Sequence, residues 1–169
     1  MWPVNWRVKL RELPGGRPRK NVVMRNAPKW VAGCSLAILA ALYVVGAVSH
    51  GSLRHVVQTL PLWFPIFQGF RRREFAKWSA LPCMIFWLVI MMFIWLFLLG
   101  WASIVSGHFS PTEIAMTLVI GIACVAGLFT SFRWRTSVSL WAAIGVMILF
   151  GVLQLLAFRI SLFPYIATH

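Results

Sequence analysis

Long apolar runs alternate with short basic segments along this chain. The longest uninterrupted run covers residues 82–104 and reads PCMIFWLVIMMFIWLFLLGWASI, without a charged residue. At a helical rise of about 1.5 Å per residue, it is long enough to cross a hydrocarbon core of about 30 Å. We therefore predict a transmembrane helix over residues 81–104, around which the rest of the chain is organised.

Three other apolar runs have the length of a membrane span, and they cover residues 30–49, 111–131 and 138–158. The second of these begins at Ser110-Pro111-Thr112-Glu113, which is a strong helix start. Ser110 can cap the helix, Pro111 suits its first position, and Glu113 stands where a capping box needs its acid. The predicted fold class is all-α, an integral membrane helical bundle with four full transmembrane helices.

Residues 56–70 form an ambiguous fifth segment. The segment is mostly apolar, but it is short for a span and contains Pro61 and Pro65. A proline lacks an amide donor, and its ring clashes with the carbonyl four residues earlier. We expect a kink, a break or two half-length pieces near residues 60–65, in a segment that either crosses the membrane or re-enters it.

The composition fits a membrane protein, because 60% of the residues are hydrophobic and only 11% are charged. The chain has 16 Lys or Arg against 3 Asp or Glu, a formal net charge of +13. In a soluble protein this balance would suggest nucleic-acid binding. Here the basic residues lie between the apolar runs, which is the orientation signal of a membrane protein, so no nucleic acid is expected as a partner.

The basic residues also predict the orientation. If 56–70 crosses the membrane, fourteen of them lie on one side and only Arg54 and Arg159 lie on the other. If it is a simple loop, the two sides differ by only two basic residues. The positive-inside rule favours the first arrangement, with a cytoplasmic N-terminus and an external C-terminus in a bacterial inner (cytoplasmic) membrane.

The chain is predicted to have two parts, a basic cytoplasmic tail over residues 1–29 and a transmembrane domain over residues 30–169. Residues 2–13 could lie on the membrane surface, although a solvated tail that only sets the topology is the simpler interpretation. Met24 is an alternative start of the chain.

Small residues at four-residue spacing indicate where helices approach closely. They are Gly33, Ala37 and Ala41 in the first span, and the pairs Thr117/Gly121 and Ala123/Gly127 in the span 111–131. The span 111–131 is therefore predicted to be the packing centre. Residues 84–99 contain no Gly, Ala, Ser or Thr, so that helix is predicted to lie at the edge of the bundle with much of its surface in lipid.

The basic connections are predicted to anchor the bundle and to meet anionic lipid headgroups. The anchors are Arg71, Arg72, Arg73, Lys77, Arg133 and Arg135. Gln154 is the clearly polar side chain within the last span, and such a residue more often bonds a neighbouring helix than a substrate.

No catalytic, metal or cofactor site is predicted. The histidines His50, His55, His108 and His169 all fall on the outer side and form no ligand pair at helical spacing. The three carboxylates are Glu12, Glu74 and Glu113, of which Glu74 lies among arginines and Glu113 has a capping role. The three cysteines are scattered and are interpreted as packing residues.

The predicted function is that of a small non-enzymatic multi-pass membrane protein, an assembly or partner subunit that binds another membrane protein or a second copy of itself. The alternative is a small-solute transporter or channel component that uses the segment 56–70, since broken helices at membrane depth often line a cavity.

Overall fold

A computed structural model describes residues 20–49, 51–101 and 109–163. These residues form five helices: α1 (Lys20–Val48), α2 (Ser52–Phe70), α3 (Phe75–Leu98), α4 (Pro111–Arg133) and α5 (Leu140–Ser161). Four helices are long and apolar enough to cross a membrane, namely α1 from Asn26 onward, α3, α4 and α5. The all-helical fold and the four long apolar helices are thus as predicted, and the fold is compatible with an integral membrane protein.

Helices α1 and α2 pack antiparallel against each other. Gly69 near the end of α2 lies so close to Pro28 and Ala32 of α1 that a Cβ atom there would stand 2.7 Å from both. At the other end of the pair, a Cβ on Gly46 of α1 would meet the ring of His55. The two helices therefore pack along their whole shared length.

The short segment broken by prolines is not confirmed. Helix α2 runs without interruption from Ser52 to Phe70, although it contains Pro61 and Pro65. Both prolines are buried and lie one turn apart, so the amide donors that they lack are missing from one buried face of the helix. Helix α2 packs against α1, α3 and α5.

Helix α3 has more helix neighbours than any other described helix, so the prediction that the span 111–131 (α4) is the packing centre is wrong. It contacts each of the other described helices, whereas α4 contacts only α1 and α3. The prediction that this helix lies at the edge is wrong for its first half, because Ala76, Ser79, Ala80 and Cys83 are fully buried there. These small residues precede the bulky run on which the prediction relied. Beyond Met91 the side chains of α3 are half-buried or exposed.

Several helix ends differ from the predicted boundaries. Helix α1 begins at Lys20, ten residues before the predicted span, and α3 begins at Phe75 rather than residue 81. Helix α3 ends at Leu98 because Gly100 adopts a left-handed backbone with φ 75°. The amides of Gly100 and Trp101 bond to the carbonyls of Phe97 and Leu96, both at 2.9 Å, which is a Schellman motif.

The start of α4 is as predicted. The hydroxyl of Ser110 accepts a hydrogen bond from the amide of Glu113 at 3.3 Å. In return, the Glu113 carboxylate accepts one from the amide of Ser110 at 2.7 Å. Together these bonds form the capping box, with Pro111 at the first helical position.

Candidate functional site

An apolar groove of about 770 Å³ lies between α3 and α4. The α3 wall includes Leu88, Met91 and Trp95, and the α4 wall includes Gly121, Ile122 and Val125. We call it the α3–α4 groove. The groove faces outward, since Ile122 is 69% and Val125 56% exposed.

Two of the small residues singled out in the sequence line this groove. A Cβ atom on Gly121 would meet nothing within 4 Å, so the backbone of α4 lies open at this point. Thr117 lies one turn earlier, and its hydroxyl donates a hydrogen bond to the carbonyl of Ile114 at 2.7 Å. The groove therefore has an apolar surface, with small residues at its base.

The other small residues face inside the bundle or toward open space. Ala41, Ala123 and Gly127 are buried, and a Cβ on Gly127 would clash with Met84 at 2.6 Å. Ala37 is half-buried, whereas Gly33 is exposed with open space around its backbone. Of the seven small residues predicted as helix-packing positions, some therefore make contacts within the chain. The others lie on surfaces that no described part of the chain covers.

The basic anchors lie together at one end of the bundle, which we call the basic end. Lys77 Nζ donates a hydrogen bond to the carbonyl of Trp134 at 2.6 Å, and the Glu74 carboxylate accepts bonds from the amide and hydroxyl of Ser137 at 2.7 and 2.8 Å. These bonds join the α2–α3 turn to the α4–α5 connection. Five arginines are exposed at this end: Arg71, Arg72, Arg73, Arg133 and Arg135.

Two of these arginines stack on aromatic rings at the outside of the bundle. The guanidinium of Arg71 lies 4.1 Å from the ring centre of Phe67, and that of Arg133 lies 4.3 Å from the ring centre of Phe129. Both rings are more than half exposed. This arrangement suits a boundary between hydrocarbon and headgroups, where a long basic side chain keeps its charge in the polar layer.

The described residues contain no group of three or more His, Cys, Asp or Glu that could hold a metal ion. His55 is half-buried against Gly46, while His50, His108 and His169 lie outside the described residues, as does Glu12. The remaining carboxylates, Glu74 and Glu113, hold hydrogen bonds in a connection and a capping box. Cys34, Cys83 and Cys124 are free thiols.

A buried polar seam lies between α2 and α5, formed by Gln58, Gln154 and Ser161. The amide nitrogen of Gln154 donates to the backbone carbonyl of Gln58 at 3.0 Å, and that of Gln58 donates to the Ser161 hydroxyl at 2.9 Å. All three side chains are at most 2% exposed. The helix-to-helix bond expected of Gln154 is therefore present.

Sequence reasoning missed the two partners of Gln154. The prediction for residues 56–70 relies on Pro61 and Pro65 and does not single out Gln58. Ser161 lies beyond residue 158, the predicted end of the last span. A signal was present, because Gln58 lies one turn before Pro61 in an otherwise apolar stretch, where an amide needs a partner.

No family model matches the chain, and searches of curated proteins and of solved structures return no similar protein.

Proposed function

We propose that this protein is a non-enzymatic, multi-pass subunit of a bacterial inner-membrane complex. In this proposal the basic end faces the cytoplasm, the C-terminus faces outside, and the α3–α4 groove binds an apolar transmembrane helix of another membrane protein. The groove is the observation that carries the proposal.

The length of the groove favours a helix over a lipid chain as its occupant. On α4 its lining runs from Thr117 to Phe129, about 18 Å at the rise of an α-helix. One leaflet contributes only about 15 Å of hydrocarbon, half the thickness of the core. A transmembrane helix covers such a distance in one piece, and the open backbone at Gly121 permits its close approach.

The basic end supports the proposed orientation. Its exposed arginines contrast with the opposite end, where the described basic residues are Arg54 and Arg159. By the positive-inside rule the richer end belongs on the cytoplasmic side. There the arginines would also attract anionic lipid headgroups.

Replacing Gly121 by Leu tests the proposal, because the added side chain has room in the isolated chain but fills the groove. We expect Gly121→Leu to fold normally and to lose the partner on purification in mild detergent. Gly145→Leu is the matched control, since Gly145 on α5 is also free of contacts and lies outside the groove. Equal recovery of a partner with both variants would contradict binding at the groove.

A second candidate function, passage of a small solute, is favoured by the polar seam. The unbroken α2 removes the sequence argument for a re-entrant segment, and the remaining support is that the polar side chains of Gln58, Gln154 and Ser161 are buried inside an apolar bundle. This candidate predicts that proteoliposomes carrying the protein take up small neutral solutes faster than empty liposomes. Gln154→Leu should abolish the difference, and equal rates for all three samples would contradict it.

A further inference from the structure

One end of the α3–α4 groove lies at the basic end of the bundle. Helices α3 and α4 pack antiparallel, because a Cβ on Gly127 would stand 2.6 Å from Sδ of Met84 and Lys77 Nζ bonds the carbonyl of Trp134 at 2.6 Å. The lining of the groove on α4 extends to Phe129, which lies between these two contacts along the helix. The groove therefore ends close to the start of the α4–α5 connection.

Arg133 lies at this end of the groove. Exposed apolar residues recur at helical spacing along the groove face of α4, and they are Leu118, Ile122, Val125 and Phe129. Arg133 follows Phe129 by one turn and so lies on the same face of the helix. Its guanidinium lies 4.3 Å from the centre of the Phe129 ring. A helix that occupies the groove therefore passes beside this guanidinium.

The end of the groove at Arg133 is positively charged. Both carboxylates of the described residues have other partners, because Glu113 belongs to the capping box at the far end of α4 and Glu74 accepts the bonds from Ser137. Arg135 adds a second exposed guanidinium close to that of Arg133. The surface that a partner helix would meet is thus apolar along the groove and basic at this one end.

A carboxylate is the group that complements a guanidinium in this position. Arginine binds a carboxylate through two parallel hydrogen bonds, and a guanidinium that already stacks on a ring loses little freedom in doing so. Opposite charges across an interface also fix the register of the two partners and disfavour partners of the wrong charge.

A lipid phosphate does not distinguish Arg133 from the other stacked arginine of the basic end. Arg71 lies over the exposed ring of Phe67 at 4.1 Å, much as Arg133 lies over Phe129. Helix α2, which Arg71 follows, does not contact α4, and Phe67 does not line the groove. The feature particular to Arg133 is the groove itself, which favours a group carried by the occupant of the groove.

We propose that the partner helix in the α3–α4 groove carries an Asp or Glu that pairs with Arg133. This inference rests on the proposed binding of a helix at the groove and specifies the chemistry of that helix. The distance from Gly121 to Arg133 along α4 is about 18 Å at the rise of an α-helix. The acid should therefore lie about three helical turns along the partner from its contact with Gly121.

Charge reversal at Arg133 tests the pairing in living cells. A photoreactive amino acid at position 122 reports the occupant of the groove, and the yield of protein adduct is normalised to the amount of the chain in the membrane. Arg133→Glu should lower this yield to less than about one third, because it brings two acids together. Arg133→Lys should keep at least about half of the yield, since the positive charge remains.

Arg71→Glu is the matched control. It makes the same change of net charge at the same end and removes the same kind of stacking, but away from the groove. We expect it to leave the adduct yield unchanged. Equal yields from Arg133→Glu and Arg71→Glu would overturn the pairing, as would a loss with Arg133→Lys as large as that with Arg133→Glu. Lipid adducts alone from position 122 with both arginines intact would contradict the proposed function, and this inference with it.

Mass spectrometry of the protein adduct then identifies the partner helix. We expect an Asp or Glu about three helical turns from the crosslinked position, toward the basic end. Replacing that acid by Arg should restore the adduct yield of Arg133→Glu, because the two charges are then exchanged. A partner helix without an acid at that end, or a charge exchange that restores nothing, would overturn the pairing while the binding of a helix at the groove stands.

Discussion

Single residues decide where the helices of this bundle end. Gly100 ends α3 in a left-handed conformation that glycine adopts without strain. Arg72 ends α2 in the same way, with φ 56°, and the amides of Arg72 and Arg73 bond to the carbonyls of Gly69 and Gln68 at 3.0 and 2.9 Å. An arginine at this position is strained, because its Cβ approaches the following carbonyl. The basic end therefore keeps a charged residue where glycine would be more stable.

Arg72→Gly should stabilise the protein by about 1 kcal/mol, since it removes this strain. The control is Arg73→Gly, which removes the same charge at a residue without a positive φ and should destabilise slightly. Unfolding by denaturant in detergent micelles measures both. A loss of stability with Arg72→Gly equal to that with Arg73→Gly would contradict the strain at Arg72.

Ser110→Ala should cost about 1 kcal/mol, because the amide of Glu113 loses its acceptor and the capping box is broken. Ser139→Ala is the comparison, since the Ser139 hydroxyl accepts a longer bond of 3.4 Å from Ala142 at the start of α5. We expect the smaller loss there in the same unfolding experiment. Equal losses would show that the reciprocal bond of Glu113 contributes nothing.

At the scale of elements, the pattern of apolar runs predicts which segments are helices but not how they pack. All four long helices and the start of α4 could be read from the sequence, because length and cap chemistry are local properties. The contacts of α3 with all four other described helices could not be predicted, since they depend on which neighbours pack against Ala76 and Ala80. The continuity of α2 across Pro61 and Pro65 could not be predicted either, since the local sequence favours a kink there.

Gly69 is the tightest contact between α1 and α2, because a Cβ there would stand 2.7 Å from a backbone oxygen that cannot rotate away. Gly69→Ala should therefore destabilise the bundle by about 1–3 kcal/mol. Gly145→Ala should instead stabilise it by up to about 1 kcal/mol, since Gly145 is exposed within a helix and free of contacts. Thermal unfolding of the two variants should shift in opposite directions, and a shift in the same direction would contradict the close approach.

At the scale of the whole molecule, the distribution of basic residues and the odd number of described helices both place the two ends of the bundle domain on opposite sides. Gly69 near the end of α2 lies beside Pro28 of α1, and Gln58 near the start of α2 bonds Ser161 at the end of α5, so the first turns of α1 and the last turn of α5 lie at opposite ends of α2. The count of basic residues predicts the same arrangement, and the orientation of the chain in a membrane stays a prediction. The α3–α4 groove, by contrast, could not be predicted, because Gly121 has the same spacing signal as the buried Gly127. Only the packed bundle distinguishes a contact within the chain from an open surface.

The orientation predicts which ends a membrane-impermeant thiol reagent reaches in intact cells. In a variant lacking Cys34, Cys83 and Cys124, Arg72→Cys should be protected and Ala167→Cys should react. Permeabilising the cells should make both positions react, which controls for burial. Reaction at position 72 and protection at position 167 in intact cells would reverse the orientation.

The binding of a partner helix at the α3–α4 groove is tested most directly by photo-crosslinking in living cells. A photoreactive amino acid replaces Ile122 in the groove or, as a control, Ile148 on α5, which is similarly exposed at 62% and lies at a similar depth. We predict a discrete protein adduct from position 122 and only lipid adducts from position 148. Lipid adducts alone from both positions would contradict the proposed function.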